Sequence, residues 1–246
     1  MNYDKLADEL VAWMRTFAEK AGATGYVIGL SGGIDSSVSA ALAVRAVGIE
    51  NVVSVLLPCH SQPEDAKFAR MVADALALSP ETVDLSETYD LFLKALPPGN
   101  EMARANLKPR LRMASLYYLA QSHNALVLGT GNRPEIMVGY FTKYGDGGVD
   151  LEPLGELYKH EVRELARVLG IPEPVITRPP TAGLWPGQTD ESELGLSYDQ
   201  LDAILAAWAE GRVPDAPERV IARVEKLVAS SAHKRAVPPV YPVVRG

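Results

Sequence analysis

The chain has 246 residues, 47% of them hydrophobic and 22% charged, which is enough for one sizeable core. Its formal net charge of −7 argues against nucleic acid as the main partner, and no apolar run is long enough to cross a membrane. Cys59 is the only cysteine, so an internal disulfide and a cysteine zinc cluster are excluded; with no signal-peptide pattern in Met1–Lys20, a cytoplasmic location is expected.

Leu6, Leu10, Trp13, Met14 and Phe17 recur at helical spacing and predict a first amphipathic helix. Strands are expected at 25–30, 52–57, 81–85 and 125–130, alternating with helices at 33–47, 63–78, 87–95 and 101–122. Such alternation predicts an α/β fold: a three-layer parallel sheet with helices on both faces, right-handed crossovers, and ligands at the carboxyl ends of the strands. Two polar segments, 140–150 and 178–193, are too rich in Gly and Pro for regular structure and read as functional loops. Further helices are expected at 155–169, 198–209 and 215–231, before a Pro-rich tail, Val237–Arg245. No repeat or linker divides the chain, so residues 1–246 are expected to form a single domain.

The apolar run Gly25–Ile28 leads into Gly29-Leu30-Ser31-Gly32-Gly33-Ile34-Asp35-Ser36-Ser37, and an Ala-rich helical run follows. Strand, turn of small residues and helix start make a phosphate site: glycines let a ligand oxygen approach the backbone, and free N–H groups and the helix dipole favour its charge. Ser and Asp at a helix start also serve as plain caps. Two glycines, three serines and an Asp in one turn favour phosphate, and Asp35 then requires a cation between itself and the ligand. The loop is no Walker A, since no Gly-Lys-Ser/Thr ends it. It is no dinucleotide fingerprint either, since the second strand ends in Pro58-Cys59-His60 with no acid for a ribose.

The fourth strand ends in Gly129-Thr130-Gly131-Asn132, with Glu135 following. Glu135 is expected across the sheet crevice from Asp35, where two carboxylates suit magnesium; the alternative is a helix-start cap. Arg104, Lys108, Arg110 and Arg112 cannot all share one helical face, and Pro109 is expected to break the run. They read either as a solvated basic face or as a site for an anionic substrate. Lys143 and Asp150 bracket a Gly-rich flap, and Ser231–Arg235 is basic at a helix end. His60, His123 and His160 lack metal-site spacing and read as structural or exposed.

Ser31–Ser36 resembles the pyrophosphate loop of the N-type ATP pyrophosphatases, a superfamily that includes GMP, asparagine and NAD synthetases and tRNA-modifying enzymes. The segments Asn106–Met113, Gly129–Asn132 with Glu135, Gly139–Asp150, Pro180–Glu191 and His233–Arg235 resemble, in order, the NAD synthetase pattern. That resemblance implies a Rossmann-like sheet of the ATP-pyrophosphatase type and a ligase that amidates deamido-NAD with ammonia, using ATP and magnesium. It implies ATP contacts at Gly29, Leu30, Ser31, Gly32, Gly33, Ile34, Asp35, Ser36, Thr130, Lys159 and Thr181. It implies magnesium at Asp35 and Glu135, and deamido-NAD at Arg110, Lys143, Asp150, His233 and Lys234. It also implies a homodimer and the ammonia-dependent form, since the chain has no residues for a glutaminase domain. Asp35, Lys159 and Asp150 are then the catalytic candidates, and Asp150 and Asp190 remain alternatives for deprotonating ammonium. Cys59-His60 and Arg133-Pro134 depart from the family pattern near the nucleotide crevice. A tRNA-modifying relative is disfavoured by the acidic composition, and a dehydrogenase by the wrong fingerprint.

Overall fold

The computed structural model describes residues 1–185 and 187–243; Pro186 of the second long loop and Val244–Arg245 of the tail lie outside the described residues. Helix α1 (Tyr3–Ala21) carries Ala7, Met14 and Ala18 inward, is capped by Asn2 and ends on Gly22 in the left-handed region. It leads to β1 (Gly25–Gly29), whose Tyr26 hydroxyl donates to the Met14 carbonyl at 2.6 Å and ties strand to helix. Then follow α2 (Ile34–Val47), β2 (Val52–Leu56), α3 (Pro63–Ala75), β3 (Glu81–Thr82) and α4 (Ser86–Ala95). Next come α5 (Glu101–Ala105), α6 (Leu107–His123), β4 (Ala125–Val127), α7 (Arg133–Val138) and α8 (Lys159–Val168). The chain continues through α9 (Glu173–Ile176), α10 (Asp190–Leu194), α11 (Tyr198–Ala209) and α12 (Glu218–Ser230).

The sheet is parallel with order β3-β2-β1-β4, as expected from the alternation. Successive β1 side chains point to opposite faces. Tyr26 and Ile28 join a core with α1, α2, α3 and α8, while Val27 joins a second with α4 and α6. Small residues on α2 (Ala40, Ala41, Ala43) let α1 and α8 approach it closely. A third cluster, formed by α7, α10, α11 and α12, lies against the functional end. Strand order reverses between β1 and β4, so the loops after these two strands flank one crevice.

Several expected boundaries move. The helix expected at 101–122 is split at Asn106, and Pro109 does not break it. Pro109 stands in the first turn of α6, where a missing N–H costs nothing. The expected strand 81–85 keeps only two ladder residues, although Val83 and Leu85 still donate to the carbonyls of Leu56 and Pro58. Within the segments expected to lack regular structure, Thr189 caps the short helix α10. Asp150 and Leu151 pair with Val127, Leu128 and Gly129, extending the sheet edge beyond β4. No described helix is long and apolar enough to cross a membrane.

Candidate active site

The loop after β1 is shaped before any ligand arrives. Gly32 sits at φ 78°, and a Cβ there would lie 2.7 Å from the Asp65 carbonyl oxygen, so only glycine fits. Ser36 Oγ donates to the Gly33 carbonyl at 3.0 Å and sits 3.0 Å from Ser31 Oγ, which accepts from the Gly33 N–H at 3.2 Å. No side chain caps α2 at Gly33, so the first N–H groups of that helix remain open toward the crevice.

Beside the loop lies a three-charge centre. Lys159 Nζ stands 2.6 Å from Asp35 Oδ2 and 3.2 Å from Glu135 Oε1, and only 2% of the lysine side chain is exposed. Lys159 is the first residue of α8, a helix whose start is closed by Glu161 Oε2 accepting from the Tyr158 N–H at 2.9 Å. Burial pulls the ammonium pKa down, but Asp35 and Glu135 more than offset this and hold it above the ordinary lysine range. Burial pushes Glu135 up to about 7 against the pull of Lys159. The helix-start cap holds, and Glu135 also faces Asp35 across the crevice. Its Oε2 accepts from the Asn132 N–H in a capping box at the start of α7, while its Oε1 faces Lys159. Arg133-Pro134 therefore forms an ordinary helix start, with Pro in the first turn. Asn132, fully buried, also donates Nδ2 to Asp35 Oδ1 at 2.9 Å, locking the two carboxylates into one frame.

Two carboxylate oxygens are the hard donors that a magnesium ion would take, and Asp35 and Glu135 are the residues that would hold it. Asp35 Oδ2 and Glu135 Oε1 converge on one point, held by the lysine ammonium. Among the described residues no cluster of three or more acidic, His or Cys side chains makes a cage, so phosphate oxygens and waters would complete the sphere.

A buried chain of hydroxyls and carboxylates runs outward from this centre. The Tyr198 hydroxyl is 3.0 Å from Glu135 Oε1 and 3.1 Å from Asp190 Oδ2. Tyr140 donates toward Asp190 and Glu193, and Gln188 Nε2 donates to Glu193 at 2.6 Å. Burial, then the neighbouring carboxylates, raises both tyrosines, so they remain protonated donors. Segment 178–193 is thereby wired to the charged centre through Gln188 and Asp190. Tyr198 carried no sequence signal beyond an apolar helix start.

The Gly129–Gly131 turn packs on Glu152, whose Oε2 accepts from the Gly131 N–H at 2.8 Å. Burial pushes this carboxyl up to about 8 from 4.5. Between those values the folded state holds the proton more tightly than the unfolded chain, so stability falls as pH rises through that window. Glu152→Gln is expected to melt a few degrees above the parent at about pH 9, with the gap closing near pH 5. Thermal melts at both values check this, and a pH-independent gap contradicts it.

A cavity of about 730 Å³ joins these parts. Gly29, Leu30, Ser31, Gly33, Ile34, Asp35, Ser36, Thr130, Glu135, Thr181 and Lys234 line it. Gly32 and Lys159 are not part of that lining. Arg110, Lys143 and His233 lie off the lining and contact one another: Arg110 Nη2 donates to the Lys143 carbonyl at 3.3 Å, and Lys143 Nζ to the His233 carbonyl at 2.5 Å. Lys234 Nζ donates to the carbonyls of Gly139 and Phe141, joining the flap to the C-terminal segment. Of the arginines on α6, Arg112 lines the cavity, where it holds the Leu57 carbonyl and Ser61. Asp150 lies off the lining, accepting from the Val127 N–H at 2.7 Å and from Tyr117, whereas Asp190 lines the cavity. His160 pairs with Asp202 and stacks on Tyr158, a structural role as read from the sequence.

A family model described as NAD synthase matches residues 6–238. The NH(3)-dependent NAD(+) synthetase of Archaeoglobus fulgidus is 46% identical over 98% of this chain and 97% of its own length. Among solved structures, NMN synthetase from Francisella tularensis superposes with a TM-score of 0.91 at 34% identity, covering 99% of this chain and 100% of that one. The NH3-dependent NAD synthetase of Campylobacter jejuni gives 0.84 at 28% identity, covering 98% and 100%. With a family model over most of its length and a relative of this identity over nearly all of it, the chain belongs to the NAD synthase family.

Proposed function

We propose that this chain amidates deamido-NAD with ammonia in an ATP-dependent reaction that yields NAD, AMP and pyrophosphate through an acyl-adenylate. The observation that carries the reading is the Asp35–Lys159–Glu135 centre beside an open phosphate loop, next to a cavity that Arg112, Arg178 and Lys234 also line. A carboxylate acylates poorly, so it must first be activated. The substrate carboxylate attacks the α-phosphorus of ATP, and pyrophosphate leaves with the electron pair of the broken P–O bond. The open N–H groups of the first turn of α2 hold the β- and γ-phosphates, and Lys159 turns from the carboxylates to the phosphates. Magnesium at Asp35 and Glu135 would supply charge neutralisation for the leaving group. Segment 178–193, anchored through Gln188 and Asp190, excludes water that would hydrolyse the adenylate. Ammonia then attacks the activated carbonyl and AMP departs. Asp190, which lines the cavity, is better placed than Asp150 to take the proton from ammonium.

Residues 1–246 serve as one domain, in a cytoplasmic homodimer, with substrate binding at the dimer interface. Exposed Leu91 and Phe92 on α4, Leu96 just beyond it and Tyr118 on α6 support an apolar contact between copies. Arg110→Ala is expected to raise the KM for deamido-NAD about tenfold, since a charged hydrogen bond contributes roughly 1.5–3 kcal/mol, with the KM for ATP little changed. The opposite split in steady-state kinetics would move Arg110 to the ATP side.

A second reading makes nicotinate mononucleotide the acceptor. It is favoured by the likeness to the Francisella tularensis protein, named an NMN synthetase, at a TM-score of 0.91. Incubation with ATP, magnesium and either acceptor, with ammonium or glutamine as donor, tests both. NAD formed from ammonium and not from glutamine is expected. An amide from the mononucleotide alone selects the second reading, and no amide from either acceptor overturns both.

A further inference from the structure

We infer that Arg178 grips the pyrophosphate as it leaves ATP, and that Asp65 holds the guanidinium ready for it. The inference rests on the reading that this chain splits ATP between its α- and β-phosphates.

Lys159 already has two carboxylate partners and stands on one flank of the phosphate loop, next to Asp35. Arg178 stands on the other flank. Its Nη1 is 3.4 Å from the carbonyl oxygen of Gly32, inside the loop, and its Nη2 is 2.6 Å from Asp65 Oδ1. The guanidinium also lies over the Phe68 ring at 4.5 Å, which orients its plane. Asp65 is itself fixed, because its Oδ2 accepts from the Gln62 N–H in the capping box that opens α3. With 15% of its side chain exposed, Arg178 is neither a solvated surface charge nor sealed away. It lines the large cavity together with Thr181, and the same two residues line an adjoining cavity of about 310 Å³.

A planar guanidinium with two forward N–H groups matches two oxygens of one phosphate. In the resting chain a single carboxylate and a neutral carbonyl meet it. When the bond from the α-phosphorus to the bridging oxygen breaks, its electron pair stays on the pyrophosphate, whose charge rises next to the loop. Arg178 needs only to turn from Asp65 toward the loop to meet that charge, and the adjoining cavity leaves room for the turn. Asp65 keeps the cation from binding elsewhere before ATP arrives.

The test titrates magnesium pyrophosphate, and separately AMP, onto the full chain as parent, Arg178→Ala, Arg178→Lys and Asp65→Asn. Exchange of labelled pyrophosphate into ATP, dependent on deamido-NAD, is measured alongside. Arg178→Ala is expected to weaken pyrophosphate binding about tenfold or more and to slow exchange, with AMP binding unchanged. Arg178→Lys should recover part of the binding, and Asp65→Asn should bind pyrophosphate at least as tightly as the parent. Parent-like binding in Arg178→Ala overturns the inference. So does an equal loss in Arg178→Ala and Asp65→Asn, which would make the pair a structural latch. A parent chain that binds pyrophosphate but shows no exchange counts against the amidation reading, while the binding comparison still decides the role of Arg178.

Discussion

Asp35→Asn is expected to lower kcat about a thousandfold while the chain stays folded. Asp35 accepts from Asn132 through Oδ1 at 2.9 Å and from Lys159 through Oδ2 at 2.6 Å. Asparagine keeps the size and one acceptor but loses the charge. Lys159 still pairs with Glu135, so the ligand-free protein should lose only a few degrees of melting temperature. The reaction loses more, because removing one electrostatic partner of a transition state costs about 10²–10³ in rate, and the magnesium site loses a ligand with it. Steady-state rates and thermal melts check the two halves separately. A folded variant with the parent kcat would remove Asp35 from the chemistry.

Lys159→Met should damage both stability and activity. The methionine fills the volume but leaves Asp35 and Glu135 facing each other without a cation, with Asp190 close by. Breaking a buried pair from one side costs about 3–5 kcal/mol. Glu135, already pushed up to about 7 by burial with Lys159 pulling it down, rises further once the lysine is gone. A raised carboxyl contributes fully to stability at low pH and loses that contribution as pH rises through its folded value. The variant is therefore expected to melt roughly 10 °C below the parent at about pH 8 and to regain most of the loss near pH 5. Magnesium should raise its melting temperature more than it raises the parent's, since a divalent ion replaces the missing charge between the carboxylates. Its kcat should fall at least a hundredfold. A melting temperature equal to the parent's at both pH values would contradict this account of the centre.

What the sequence made legible was local. Small residues after an apolar strand named the phosphate loop, and the spacing of Leu6, Leu10, Met14 and Phe17 named the first helix. The crevice places Glu135 across from Asp35, and the structure joins them through Asn132, 97 residues from Asp35 in the chain. The roles of Asn132, Tyr198 and Arg178 were not legible. Each acts on a segment far away in sequence, and side chains of these types fit caps, cores or surfaces equally well. Arg110 and Arg112 were indistinguishable for a related reason. Two residues apart on α6 they face different directions, and only the packed helix shows that Arg112 lines the cavity while Arg110 turns to the Lys143 carbonyl. The short helix α10 was hidden because Gly and Pro earlier in segment 178–193 dominate its composition, whereas Thr189 supplies a local cap at its end.

The central claim is that ATP activates the substrate carboxylate by transferring AMP to it. Deamido-NAD carrying ¹⁸O in its nicotinate carboxylate, incubated with the chain, ATP, magnesium and ammonium, tests this most directly through mass analysis of the phosphorus products. One labelled oxygen in AMP, with unlabelled pyrophosphate, is the predicted result. Unlabelled AMP, or ADP with labelled inorganic phosphate, would contradict it.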